Sequence, residues 1–382
     1  MGFLSLLKRS KVAFILLVFT FIVSGLIVNC MQLLTVPLYF TNKRLFRVVN
    51  AKLVYLHWCI LPWSLQSWAN YDIRVFGSQE DLDRYANKEH ALCLLNHHGD
   101  LDWMIGWCLV ERLGMLGGVK AIMKDIAKFL PGIGWTFVFM EYPFLTRSWE
   151  NDEKRLEAAC KNLLDYPVNM PLCLFAEGTR FTQEKYLKSV EFSKSRGLPV
   201  LKHHLFPRTK GFCLLMKYMK GSIPAIYDIT IRCPDVSEQP TLMDVINAKP
   251  CRADIYFRRF SLSDLPESEE ALTKWLIDLY RDKDDVIEYH IKNRKFPGDQ
   301  IKLSKRPWMD VVVFMWILLL AIPVSVAMVY LAYTGAWLTL GLIVLILFVT
   351  DQLFMCLARE TDSKLGSSHG LEPVTVKEKK TN

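Results

Sequence analysis

The sequence predicts a layered α/β domain held to a membrane by N-terminal helix and a C-terminal transmembrane hairpin. Three observations carry this. Long runs without a charged side chain lie near both ends of the chain. Between them, short apolar runs of strand length alternate with segments of helical periodicity. The composition, 51% hydrophobic and 23% charged over 382 residues, excludes a disordered chain and a coiled coil. The net charge of +8 suits an anionic partner, whether a membrane surface, a phosphorylated substrate or nucleic acid, without choosing among them.

Val12 to Phe40 contains no charged residue and follows Lys8, Arg9 and Lys11. A spanning helix needs ~20 such residues. The run is too long for a signal-peptide core and lacks a convincing cleavage site, so it reads as an uncleaved anchor whose helix ends at Pro37. Leu53 to Trp68 is apolar and aromatic but interrupted by His57 and Pro62. It reads as an interfacial or re-entrant segment with Trp58, Trp63 and Trp68 at headgroup depth. Val311 to Tyr333 and Ala336 to Val349, the latter extending to Leu357, form a hairpin around Thr334 and Gly335. Two crossings return the tail to the side of the central domain, and the flanking Lys302, Lys305, Arg306 and Arg359 predict that this side is cytosolic. The tail ends Lys379-Lys380-Thr381-Asn382, the dilysine pattern of retrieval to the endoplasmic reticulum, or else simply a solvated end. The expected division is an anchor over 1–41, an interfacial segment over 42–70, a catalytic domain over 71–306, two transmembrane helices over 307–358 and a tail over 359–382.

Within the domain, Tyr71–Phe76, His90–Leu95, Pro171–Phe175, Ala225–Ile231 and Ala253–Phe260 read as strands. Leu101–Met115, 150–164 and Ser268–His290 read as helices, the last with Leu272, Trp275, Leu276 and Leu279 on one stripe. The ten cysteines include no CxxC pair, and several lie in apolar runs, where they read as small buried hydrophobes. No N-x-[ST] sequon occurs. Both facts favour a reducing, non-luminal setting for most of the chain.

Two polar clusters directly follow the two best buried strands, at the strand ends where α/β domains gather ligands. The first is Asn96-His97-His98-Gly99-Asp100-Leu101-Asp102. On a continuous helix His97 and Asp102 diverge by ~140°. A turn, which Gly99 permits, lets them meet, and a histidine held by a carboxylate is a primed general base. Two alternatives stay open: a structural histidine with Asp100 or Asp102 as a helix cap, and a metal site from His97, His98, Asp100 and Asp102. The second cluster is Glu177-Gly178-Thr179-Arg180. Arg180 can grip phosphate oxygens, Gly178 lets the backbone approach closely, and Glu177 can accept from a hydroxyl or pair with an arginine. A plain polar turn fits as well.

HxxxxD followed by EGTR in a membrane protein resembles the 1-acylglycerol-3-phosphate acyltransferase family. Pro131-Gly-Ile-Gly-Trp135 leading to Arg147 resembles the family's second block, and Ile223-Pro-Ala-Ile-Tyr-Asp228 its fourth. Glu177-Gly-Thr-Arg-Phe-Thr182, Gly197-Leu-Pro-Val-Leu201, Phe206-Pro-Arg-Thr-Lys-Gly-Phe212 and Arg306-Pro-Trp308 are similar to the gamma and delta branch. The resemblance covers roughly residues 30–365 and implies a glycerolipid-acyltransferase fold. It also implies transfer of a fatty acyl group from acyl-CoA to the sn-2 hydroxyl of lysophosphatidic acid, giving phosphatidic acid.

On that footing His97 is the base and Asp102 its support. Arg180 and Arg147 are expected at the phosphate, with Glu177, Gly178 and Thr179 at the glycerol end and Pro224 at the fourth block's proline, or else only shaping a strand start. Lys124, in Lys120-Ala-Ile-Met-Lys-Asp-Ile-Ala-Lys128, meets phosphates or is one charge on a solvated amphipathic helix. Oxyanion donors are sought among the backbone amides near Gly99 and Gly178. Cys93 is expected to be structural. No cofactor or metal is expected, acyl-CoA being a co-substrate. The partners are lipids rather than nucleic acid, because the basic residues are not clustered with exposed aromatics. Two alternative readings are transfer to another lysophospholipid and a membrane-remodelling protein on the same fold.

Overall fold

The computed structural model describes residues 10–146, 149–234 and 239–361. Arg147 and the terminal dilysine lie outside the described residues.

The described residues form eight strands: β1 Asp72–Gly77, β2 Ala91–Leu95, β3 Lys120–Ala121, β4 Met123–Lys124, β5 Phe144–Leu145, β6 Pro171–Phe175, β7 Ala225–Arg232 and β8 Arg252–Ser261. Six form one sheet in the order β1-β8-β7-β2-β6-β3, and β4 pairs with β5 alone. β7, β2, β6 and β3 run parallel. β8 is antiparallel to β7, and β1 is parallel to β8. The four parallel strands therefore end at one edge, and the chain leaving each of them is delivered there.

β2 is buried along its whole length, which is why its sequence is uninterrupted Ala-Leu-Cys-Leu-Leu rather than alternating. Cys93 sits in it at 1% exposure, facing Cys173 of β6 in register. The neighbouring Cys173 thiol and burial push the Cys93 thiol up, so it is a packing residue and no nucleophile. The long helix Glu269–Asn293 lies against the sheet through Leu272, Leu276, Leu279, Tyr280, Lys283 and Ile287. Trp275 stacks on Phe212 at 5.8 Å.

Among the described residues, three helices are long and apolar enough to cross a membrane: Lys11–Leu34, Pro307–Thr334 and Trp337–Cys356. The second contains a wide turn at Ile317–Ala321, just before Pro323. Proline has no N–H to donate to the preceding turn, and the widening absorbs the mismatch. The chain reverses at Gly335, whose φ of 74° favours a residue without Cβ.

The N-terminal region departs from expectation in two ways. The first helix ends at Leu34, capped by Thr35, and Pro37 falls in the first turn of the next helix, Val36–Thr41. A first-turn residue needs no N–H partner, so this proline starts a helix instead of ending one. The tryptophans also differ. Trp58 is fully buried and donates to Thr136 Oγ1 at 2.9 Å, and Trp68 is 8% exposed and donates to the Ile246 carbonyl at 3.3 Å. Both anchor the helix Lys43–Trp58 and the turns after it to the domain core rather than to headgroups. Trp63 alone of the three is half-buried.

Candidate active site

The loop 96–101 leaves β2 at the shared edge and turns into the helix Asp102–Arg112. Asn96 pins the exit of β2 to β7: its amide donates to the Ile231 carbonyl at 3.0 Å and accepts from the Ile231 N–H at 2.7 Å. His97 Nδ1 then lies 3.2 Å from Asp102 Oδ2, and the same oxygen accepts from the Gly99 N–H at 2.8 Å. Asp102 occupies the first helical turn, where the helix dipole favours a carboxylate. Gly99 serves by its size: a Cβ there would meet Gln239 Oε1 at 3.3 Å and Asp102 Oδ1 at 3.4 Å. With Nδ1 committed to Asp102, Nε2 is the nitrogen left to take a proton. The side chain of His97 is 18% exposed and that of Asp102 5%, so the pair is sheltered and still reachable. The Phe175 ring lies 4.4 Å from the imidazole, centroid to centroid.

Glu177 leaves β6 beside this loop. It was expected to face a substrate hydroxyl, but it is 2% exposed and bridges two stretches of main chain. Oε1 accepts from the His97 N–H at 2.9 Å and Oε2 from the Leu205 N–H at 3.1 Å. The Phe181 N–H donates to the His97 carbonyl at 2.7 Å, closing the brace from the other side. Glu177 thus fixes the backbone of the histidine. Burial pushes its carboxyl up to about 8, against the two N–H donors that favour the anion. A raised carboxyl stabilises the fold in its neutral form: the contribution is complete below the ordinary value of 4.5 and is lost as pH rises through about 8. Burial holds the His98 and His204 imidazoles down, which acts in the opposite direction over the same range. The test is therefore the difference between variants: Glu177→Gln is expected to remove from the unfolding temperature in detergent a component that falls from pH 5 to 8, and a profile unchanged by the substitution would refute the burial argument.

Arg180 Nη1 pairs with Asp100 Oδ1, so the two polar clusters are tied together by charge. The Arg180 side chain is 17% exposed at the same edge. Thr179 Oγ1 accepts from Lys185 Nζ at 2.9 Å. Gly178, at φ 72°, lies under the exposed Arg208: a Cβ there would sit 2.7 Å from Arg208 Nε. Arg208 and Lys185 thus join Arg180 around the Glu177–Arg180 turn. Sequence reasoning gave neither a role, although Arg208 stands in the Phe206–Phe212 motif.

Three expectations are corrected. Pro224 precedes β7, whose Ala225 pairs with Ala91 at the start of β2. At ~3.3 Å per strand residue it lies roughly 15 Å from the His97 edge, so it shapes a strand start. Lys124 is not helical: it belongs to β4, against Leu145 of β5. The Gly99 N–H donates to Asp102 and the Gly178 N–H to the Phe175 carbonyl at 2.9 Å, so neither amide is aimed at an oxyanion. Two surface clefts, of about 480 and 350 Å³, lie elsewhere and contain neither His97 nor Arg180.

A histidine–carboxylate pair beside a cluster of cations can take a proton from a hydroxyl and hold an anionic acceptor. Comparison with known proteins identifies the family. The Acyltransferase family model matches residues 76–232 and the Acyltransferase C-terminus model residues 244–316. The chain is 39% identical over 323 residues to the human 1-acyl-sn-glycerol-3-phosphate acyltransferase gamma, covering 85% of each. It is 36% identical over 370 residues to the delta protein of Bos taurus, covering 97% of each. The solved 1-acyl-sn-glycerophosphate acyltransferase of Thermotoga maritima is 15% identical, with a TM-score of 0.42 over 70% of this chain and 97% of that one. With 36–39% identity to these relatives over 85–97% of its length, the chain belongs to the 1-acyl-sn-glycerol-3-phosphate acyltransferase family.

Proposed function

We propose that this protein transfers a fatty acyl group from acyl-CoA to the sn-2 hydroxyl of 1-acyl-sn-glycerol 3-phosphate, giving phosphatidic acid. The observation that carries the reading is the 3.2 Å His97–Asp102 pair sharing one sheet edge with Arg180, in a chain of this family. His97 Nε2 removes the hydroxyl proton as the oxygen attacks the thioester carbonyl. The C–S bond then breaks, and the coenzyme A thiolate leaves and recovers the proton from the imidazolium. Asp102 holds the imidazole and stabilises its charge, which is worth most in a sheltered site. The thiolate is a good leaving group, so the reaction needs no covalent enzyme intermediate and no resident cofactor.

Arg180 and Arg208 bind the acceptor phosphate, with Arg147 and Lys124 as further cations. Thr179 and Gly178 line the glycerol end. Both substrates carry acyl tails that remain in the bilayer, so the site needs no deep cleft of its own. The active edge and the C-terminal tail face the cytosol, in the membrane of the endoplasmic reticulum.

The test is acyl transfer by membranes containing the full chain, with one acyl-CoA and a panel of lysophospholipids. Preference for lysophosphatidate supports the assignment, and preference for another headgroup moves the substrate while keeping the mechanism. Equal rates from wild type and a His97→Ala variant on every acceptor would leave a non-catalytic membrane role. Arg180→Ala is expected to raise the apparent KM for lysophosphatidate about tenfold or more, since a hydrogen bond to a charged group is worth ~1.5–3 kcal/mol. Pro224→Ala, exposed at the far end of the sheet, is expected to change stability by no more than ~0.5 kcal/mol and to leave that KM alone. The opposite ranking would overturn the positions given to both.

A further inference from the structure

Between β4 and β5 the chain makes an excursion, Asp125–Pro143, that leaves from the edge carrying His97. It contains a 3-10 turn, Asp125–Phe129, and a short helix, Gly134–Phe139. Three features set it apart. First, Phe129 to Met140 carries no charged side chain. Second, Ile133, Phe137 and Met140 are buried against the domain, yet the outward side chains are also apolar: Ile126 is 70% exposed, Phe129 74%, Trp135 55% and Val138 48%. A segment apolar on both faces belongs in a core or in lipid. Third, it packs on the middle of the N-terminal apolar helix. Gly25 meets Gly132 so closely that a Cβ on Gly25 would lie 2.3 Å from the Gly132 carbonyl oxygen, and Gly132 also lies against Ile22.

Both ends of the excursion are closed by paired charges. Asp125 pairs with Lys128 and lies 3.6 Å from Arg155. Glu141 pairs with Arg47 at 2.6 Å and Lys43 at 3.3 Å. Apolar chain between two charged collars is the pattern of an element that dips through headgroups into hydrocarbon.

We infer that the apolar stretch of the excursion, Phe129 to Met140, is itself immersed in the bilayer beside the N-terminal helix, with Phe129, Trp135 and Val138 among the acyl chains and the charge pairs of Asp125 and Glu141 at headgroup level. It forms a lipid-embedded lip at the edge that bears His97, across which an acyl tail reaches the site without leaving hydrocarbon. The inference rests on the apolar helix being in the membrane, and its test involves no turnover, so it stands or falls apart from the acyl-transfer reading.

The experiment uses the full chain in phosphatidylcholine–phosphatidic acid vesicles, with Cys30, Cys251 and Cys356 replaced by Ser. Phe129→Cys, Trp135→Cys and, as a water-facing reference, Leu187→Cys are spin-labelled one at a time. Collision with apolar oxygen and with a water-soluble nickel chelate is then measured. The expected result is an oxygen-to-nickel ratio at 129 and 135 about tenfold above that at 187. Nickel-dominant relaxation at both positions places the lip in water and overturns the inference. Low accessibility to both probes means that protein, such as a second copy, covers the patch, and overturns it equally. Phe129 and Trp135 point outward from different elements, so a packing fault in one variant leaves the other to decide.

Discussion

Replacing His97 with alanine is expected to lower acyl transfer by about 10²–10⁴-fold, the usual worth of a general base, while leaving thermal unfolding nearly unchanged. The separation follows from what holds the loop. Glu177 and the Phe181 amide bind the main chain of residue 97, at 2.9 and 2.7 Å, and alanine keeps both groups. The imidazole goes with its contact to Phe175 and its pairing with Asp102, whose Oδ2 keeps the Gly99 N–H. Asp102→Ala is expected to differ: its Oδ2 also accepts from the Gly99 N–H, so that change loosens the loop and costs stability as well as rate. The two residues act as a unit, so the double variant should be scarcely slower than His97→Ala alone. Rates that multiply, or a His97→Ala protein that keeps most of its transfer, would mean that the imidazole is not the base.

What could be read in the sequence was what depends on local pattern. β2 and β6 are covered on both faces, so they are continuous apolar runs, and the polar residues after them stand out by contrast. His97 and Asp102 were legible as a pair because a turn at Gly99 was the one way for that spacing to close. The rest depends on partners that leave no trace in sequence. Glu177 binds backbone amides, which every residue carries, so nothing distinguished a brace from a substrate ligand. The strands β3, β4 and β5 are two residues each, too short for any period, and Lys124 was therefore placed on a helix. Pro224 needed the direction and register of β7 to reveal that it lies at the far edge. Trp58 in an amphipathic segment looks the same whether its ring meets lipid or Thr136.

The largest effect on stability is expected from a residue that the sequence left without a role. Asp228 stands in the middle of β7, fully buried, and pairs with Lys283 of the helix Glu269–Asn293, also fully buried. Lys283 donates further to the Ile229 carbonyl at 2.9 Å, Thr230 Oγ1 at 3.2 Å and the Leu94 carbonyl of β2 at 3.3 Å. Arg258 closes on the other carboxylate oxygen at 2.6 Å. Burial already pushes the Lys283 ammonium down, and Asp228 is the charge that opposes this. Asp228→Ala leaves that ammonium with neutral oxygens alone, which costs ~3–5 kcal/mol. Set against a total stability of ~5–15 kcal/mol, this is enough to unfold much of the domain near growth temperature. Arg258 has a side chain 22% exposed and can turn to water, so the penalty falls on Lys283. Adding Lys283→Met removes the stranded charge at similar volume, and the double variant should unfold at a higher temperature than Asp228→Ala. The order distinguishes a stranded charge from a mere cavity: a cavity left at residue 228 would persist in the double variant, which would then be no more stable than the single one. Because Lys283 reaches the carbonyl of Leu94, two residues before the exit of β2, this pair sets the height of the helix beneath the strand that delivers His97. Acyl transfer by Asp228→Ala, measured below its unfolding temperature, should therefore fall in turnover while the acceptor's KM, set by cations on the far side of the edge, stays close to that of the parent.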